Sequence, residues 1–129
     1  MKESIIKDKS FAFSLTIIEL YKHLVEEKEY ILSKQLLRSA TSIGANIVEA
    51  SAAQSKADFI AKMCVASKES RETKYWLELL KESTLTKLNV ENYLKDVEEL
   101  LKILTSIVKT AQENKMKEST QNSAFKIQN

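Results

Sequence analysis

A chain of 129 residues with no proline and a single glycine has few ways to reverse direction tightly. Sandwiches, barrels and βαβ units place those residues at their turns, so this sequence points to helices joined by short polar links. The length suits one compact domain, able to bury roughly two-thirds of the surface it exposes when unfolded. With 43% hydrophobic and 29% charged residues, the chain fits neither a disordered polyampholyte nor a membrane protein. One cysteine excludes an internal disulfide framework and a Cys-rich zinc site. The balance of 20 basic and 18 acidic residues, +2 net, does not by itself mark a nucleic-acid binder. The N-terminal MKESIIKDKSFAFS interleaves charges with apolar residues, and no apolar run approaches the roughly 20 residues of a membrane span. The expectation is a cytoplasmic protein with a reduced thiol and no membrane partner.

Helical periodicity runs through most of the sequence. Phe13, Ile17, Leu20 and Leu24 follow a 4-3-4 spacing, which stacks them on one helix face. Leu36, Ala40, Ile43, Ile47 and Ala50 continue the pattern behind Ser33, a candidate N-cap. Ser55-Lys56-Ala57-Asp58 has the form of a capping box, followed by a seam of Phe59, Met63, Ala66, Ser70, Thr73, Leu77 and Leu80. A fourth stripe comprises Val90, Leu94, Val97, Leu101, Leu104, Val108 and Ala111. Such spacing favours shallow packing angles, and the predicted fold is an all-α, antiparallel up-down four-helix bundle over residues 1–114. Its helices are expected at about 10–27, 33–54, 56–83 and 90–114, with a polar, flexible tail at 115–129.

The apolar arcs look too wide for one subunit. On a helical wheel, Phe11, Phe13, Leu15, Ile17, Ile18, Leu20, Tyr21, Leu24 and Val25 span about 220° of the first helix. The fourth helix adds Tyr93, Leu100, Ile103 and Ile107 beside its seam. A soluble monomer seldom exposes such a strip, so self-association is expected, with Ile17, Tyr21, Trp76 and Leu100 as candidate interface residues. The competing reading is a first helix buried centrally by its own neighbours.

Catalysis finds little support. His23, the only imidazole, stands among Glu19, Glu26 and Glu27 on a polar wedge, without a positioned nucleophile. Cys64 falls just off the third seam and reads as a small buried hydrophobe. One glycine cannot build a phosphate loop, and no Glu-x-x-His pair offers a di-metal site. The expectation is a non-enzyme with no catalytic residue, metal or cofactor. Two polar strips remain. Glu69, Glu72 and Trp76 share an edge of the third helix, either as a carboxylate ledge meeting cations of a neighbouring helix or subunit or as a solvated face. Arg38, Ser42, Asn46 and Glu49 lie within about 80° on the second helix, as a recognition strip or an ordinary solvent face. Lys34, Arg38 and Arg71 are candidate contacts to nucleic acid or a partner. Lys95, Lys102 and Lys109 form a line on the fourth helix, but Glu91 and Glu98 precede the first two at i−4 and are expected to neutralise them.

Arg38-Ser-x-x-Ser-Ile-x-x-Asn-Ile-x-Glu49, Ser55-Lys-x-Asp-Phe59 and Glu69-x-Arg-Glu-Thr-x-Tyr-Trp-Leu77 carry a resemblance that covers about Phe11 to Ala111. The chain closely resembles the four-helix-bundle family of 23S rRNA intervening-sequence proteins, to which the accessory variability protein of diversity-generating retroelements is related. The resemblance implies an up-down bundle assembled into a ring-like homopentamer. For the retroelement relative it also implies binding of nucleic acid and a reverse transcriptase through a basic surface. Arg38, Ser42, Asn46 and Glu49 match the family's second-helix signature, and Glu69, Glu72 and Trp76 match that of the third. Many members have Gly after the N-I-x-E motif and arginines near the following turn, where this chain has Ala50 and Ala53-Gln54. The expected function is a non-enzymatic homo-oligomer acting as an RNA- or DNA-binding accessory factor; the alternative is a protein-interaction scaffold that binds no nucleic acid.

Overall fold

The computed structural model describes the backbone of residues 2–128 and the side chains of residues 3–124. Four helices follow in order: α1 (Lys2–Glu26), α2 (Leu32–Ser51), α3 (Lys56–Ser83) and α4 (Glu91–Gln128). Each packs only on its two neighbours around a square, α1 on α2 and α4, α3 on α2 and α4. The short links force consecutive helices antiparallel, and the ion pairs Lys74–Glu98 and Lys81–Glu91 record this between α3 and α4. The all-α up-down bundle expected from the periodicity is the observed fold.

The core is a single cluster. Ile6, Phe13, Ile17, Leu20 and Leu24 of α1 meet Leu36, Ile43 and Ile47 of α2, Met63, Leu77 and Leu80 of α3, and Val97, Leu100 and Leu104 of α4. Between α2 and α3 the core admits the hydroxyls of Ser39 and Thr73, because both are bonded. Buried Thr73 Oγ1 lies 2.9 Å from Ser39 Oγ and donates to the Glu69 carbonyl, and Ser39 reaches the Leu36 carbonyl.

Several expectations are corrected here. Helix α1 begins at Lys2 rather than near residue 10, because Ile6 and Ser10 extend the buried 4-3 line N-terminally and both are buried. Helix α4 continues to Gln128 rather than ending near 114; no Gly or Pro in Lys115–Gln128 interrupts it, and Lys, Glu, Gln and Met are good helix formers. Residue 129 lies outside the described residues. Ser33 is not the N-cap of α2. It is buried inside the helix, its hydroxyl donating to the Glu29 carbonyl, while the Glu29 carboxylate accepts the N–H groups of Ile31, Leu32 and Ser33 at 3.1, 2.9 and 2.7 Å. At α3, Ser55 does cap as expected, accepting the Asp58 N–H at 3.0 Å.

The interface expectation is also revised. Ile17 and Leu100 are buried within this chain's own core, and Trp76 packs against that core from its edge. The physical reason is position: α1 and α4 each sit between two neighbours, so each buries a wider arc than a two-position seam. Tyr21 is half-buried. The apolar surplus on α1 nevertheless exists, in different residues. Phe11 is 67% exposed and Leu15, one turn later, 51%.

Candidate nucleic-acid and partner interface

Across the α2–α3 contact, Arg38 Nη2 lies 2.6 Å from Glu72 Oε1, and the same oxygen accepts the Trp76 indole N–H at 3.3 Å. Tyr75 meets Trp76 edge-on, with ring centroids 5.3 Å apart. The two polar strips read from the sequence are thus brought together, and Glu72 meets a cation of the neighbouring helix. The guanidinium of Arg38 is engaged by this bond. Arg71 donates to Ser67 Oγ at 3.0 Å on its own helix, and Lys34 is exposed at the start of α2.

The rest of the α2 strip turns inward. Ser42 donates to the Arg38 carbonyl at 2.7 Å, and Asn46 donates to the Ser42 carbonyl at 2.8 Å. Glu49 is exposed. Glu69 of α3 is buried, and its Oε2 has no hydrogen-bond partner.

On α4 the charge arrangement differs from that expected along one helix. Glu91 pairs with Lys81 at 2.7 Å and Glu98 with Lys74 at 3.8 Å, both on α3. Lys95 still lines one cleft with Glu91 and Glu98, beyond ion-pair distance of either. Among the described residues Lys95, Lys102 and Lys109 stand exposed with no acid in ion-pair range. Seven-residue spacing sets successive lysines about 10.5 Å apart along the helix axis. The sequence showed the line; only the α3–α4 pairing shows that Glu91 and Glu98 make their ion pairs with α3.

A groove of about 540 Å³ separates α1 and α2, lined by Phe11, Ser14, Thr41, Gly44, Ala45 and Val48 among others. Phe11 and Val48, 51% exposed, present apolar surface on its rim. Gly44 lies opposite buried Ser10, where α1 and α2 approach closely.

Other candidates assemble no site. His23 is exposed beside Glu26, 3.7 Å away. Cys64, expected to be buried, is exposed. No group of His, Cys, Asp and Glu among the described residues has the geometry to hold a metal ion. Among the described residues no helix is long and apolar enough to cross a membrane.

The family model described as 23S rRNA-intervening sequence protein matches residues 2–106. The chain belongs to this family. Among solved structures, it is similar to a protein of unknown function from the S23 ribosomal protein family of Bacteroides thetaiotaomicron VPI-5482. The two are 53% identical with a TM-score of 0.80, covering 84% of this chain and 99% of the other. No curated protein matches. The family match takes in Arg38, Glu69, Glu72 and Trp76 and stops within α4, so the remainder of that helix lies beyond it.

Proposed function

We propose that this intervening-sequence family protein is a non-enzymatic homo-oligomer that binds RNA or DNA as an accessory factor. The observation that carries the nucleic-acid part is the lysine line of α4. Lys95, Lys102 and Lys109 are exposed and make no ion pair among the described residues, while Glu91 and Glu98 make theirs with Lys81 and Lys74 of α3. Unneutralised cations at regular spacing suit a phosphate backbone, and assembly multiplies them around one particle. This reading moves the contact away from Arg38, whose guanidinium is bound to Glu72, and from Arg71, which is bound to Ser67. Lys34 remains available. Self-association is supported by Phe11, Leu15 and Val48, whose exposed apolar surface water would otherwise solvate. By resemblance the assembly is a pentamer. Catalysis is not assigned, since neither His23 nor Cys64 has a positioned partner that would activate it.

A salt-titrated shift assay with structured rRNA fragments tests the proposal. Binding should weaken as salt rises, and K95Q/K102Q/K109Q should flatten the salt dependence by about 0.7 to 0.9 per lost phosphate contact. Binding that is absent at low ionic strength, or is unaffected by the triple variant, removes the α4 contact. The second reading is a protein scaffold binding no nucleic acid, favoured by the apolar groove between Phe11 and Val48. A reverse transcriptase or another protein would then be the partner, and its capture should be lost on F11S with the α4 lysines intact.

A further inference from the structure

The outward face of α3 carries an aromatic ring behind a pair of cations. Lys68, Arg71 and Tyr75 follow a 3-4 spacing, which sets them on one side of the helix, and all three are exposed. Tyr75 is 55% exposed, and its ring meets Trp76 edge-on. Trp76 is itself held, its indole N–H bonded to the Glu72 carboxylate that pairs with Arg38 of α2. The phenol ring is thus braced by the bundle while much of its surface stays in water. A ring ordered in this way loses little freedom when a flat partner stacks on it.

The charge around this ring is uneven. Lys68 makes no ion pair among the described residues, and Arg71 donates to the neutral Ser67 hydroxyl and so keeps its charge. The pairs Lys74–Glu98 and Lys81–Glu91 set the register of α3 against α4, bringing Lys102 level with Ser70 and Lys109 level with Met63. Both lysines therefore lie on the Lys68 side of the ring. On its other side Glu78, Glu82 and Glu91 line one cleft with Lys81. We propose that Tyr75 stacks an unpaired base of a single-stranded nucleic acid whose phosphates run along Lys68, Lys102 and Lys109. This rests on the nucleic-acid reading above and adds the form of the ligand and the residue that senses it. A duplex offers phosphates to the same cations but keeps its base faces inside the stack, so the ring selects the single strand. Every base has such a face, and the preference is for strandedness rather than for sequence.

Fluorescence anisotropy with labelled RNA and DNA strands of about 15 nucleotides, and with the matching duplexes, tests this. The wild type and Y75F should bind single strands alike. Y75L should bind them at least about fivefold more weakly, with its helical circular dichroism unchanged. Duplex binding, which uses the cations alone, should be the same in all three proteins. The RNA and DNA arms tell which strand is the ligand, and the Y75L loss is read on each that binds the wild type. Ultraviolet irradiation should also join a 5-bromouracil-substituted single strand to Tyr75 of the wild type, and this link alone decides if Y75L loses its helical signal. Single-strand binding by Y75L as tight as by Y75F, an equal loss on duplex, or no link to Tyr75 overturns the stacking assignment and leaves the lysine contact standing. A wild type that binds neither single strand nor duplex at low ionic strength overturns both.

Discussion

Arg38 and Glu72 come from helices joined by a short turn, and their 2.6 Å ion pair bridges α2 to α3 with Trp76 bonded to the same carboxylate oxygen. The pair is partly exposed, with side-chain accessibilities of 55% and 28%, so its contribution is that of a surface bridge. R38A is expected to lower unfolding free energy by about 0.5–1 kcal/mol. It should also alter Trp76 fluorescence, since the indole loses a fixed hydrogen-bond acceptor. Nucleic-acid affinity should keep the wild-type salt slope. Urea titration followed by fluorescence, with a shift assay on the same protein, checks all three.

The lone glycine stands inside a helix while two other residues adopt left-handed backbone. Lys28 has φ 65° and Thr84 φ 60°. Lys28 occupies the αL position of a helix C-cap, its N–H bonding the Val25 carbonyl at 2.9 Å and the next N–H bonding Leu24 at 2.8 Å. Glycine relieves the Cβ clash at such positions, so K28G and T84G should each stabilise by about 0.5–1 kcal/mol, with the β-branched Thr84 gaining more. At Gly44 an added Cβ would meet Ser10 Oγ at 3.5 Å, an ordinary contact. G44A should therefore also stabilise, by up to about 1 kcal/mol from helix propensity. Denaturant midpoints at unchanged m-value are the measurement.

Glu29 ties the α1–α2 link to the start of α2. Burial alone would raise its pKa, but the N–H groups of Leu32, Ser33 and Ile31 outweigh that and hold the carboxyl below its usual value. A folded pKa below the unfolded one means the stabilisation is complete above the ordinary carboxylate range. It is lost as pH falls through the depressed folded value. E29Q should therefore destabilise by about 1 kcal/mol at neutral pH and converge with the wild type in acid. Thermal melts across that acid range report the convergence. Glu27 acts in the same direction, its pKa lowered by the Thr86 hydroxyl and the Lys87 N–H, so E29Q should itself still lose stability in acid.

The double variant F11S/L15S removes apolar surface that is already exposed in the subunit. Subunit stability should change by no more than about 0.5 kcal/mol, since neither residue belongs to the core. Assembly should fall to a 14.7 kDa species. Light scattering at micromolar concentration gives the mass, and an unchanged oligomer would remove this face from the interface.

The sequence by itself determined the helix class, the bundle and most of the core. Phe13, Ile17, Leu20 and Leu24, or Leu36, Ala40, Ile43 and Ile47, can be buried on one side only if the backbone turns with helical period. The family motifs likewise marked Arg38, Glu69, Glu72 and Trp76 before any packing was known. The start of α1 was placed too late, although Ile6 precedes Phe13 by seven residues in the line that continues to Leu24. Only the tertiary structure decided what each surface residue faces. Spacing along one helix suggested that Glu91 and Glu98 neutralise Lys95 and Lys102, whereas the closer approach of α3 draws both acids to Lys81 and Lys74. Ile17 and Leu100 looked surplus on an isolated wheel, but a helix with two neighbours buries a wider arc than its seam. Glu69 and Glu72 look alike in the sequence; Arg38 reaches one and leaves the other unpaired. Periodicity is a property of a single helix and survives in the one-dimensional chain, whereas partnership depends on distances between helices, which exist only once they are packed.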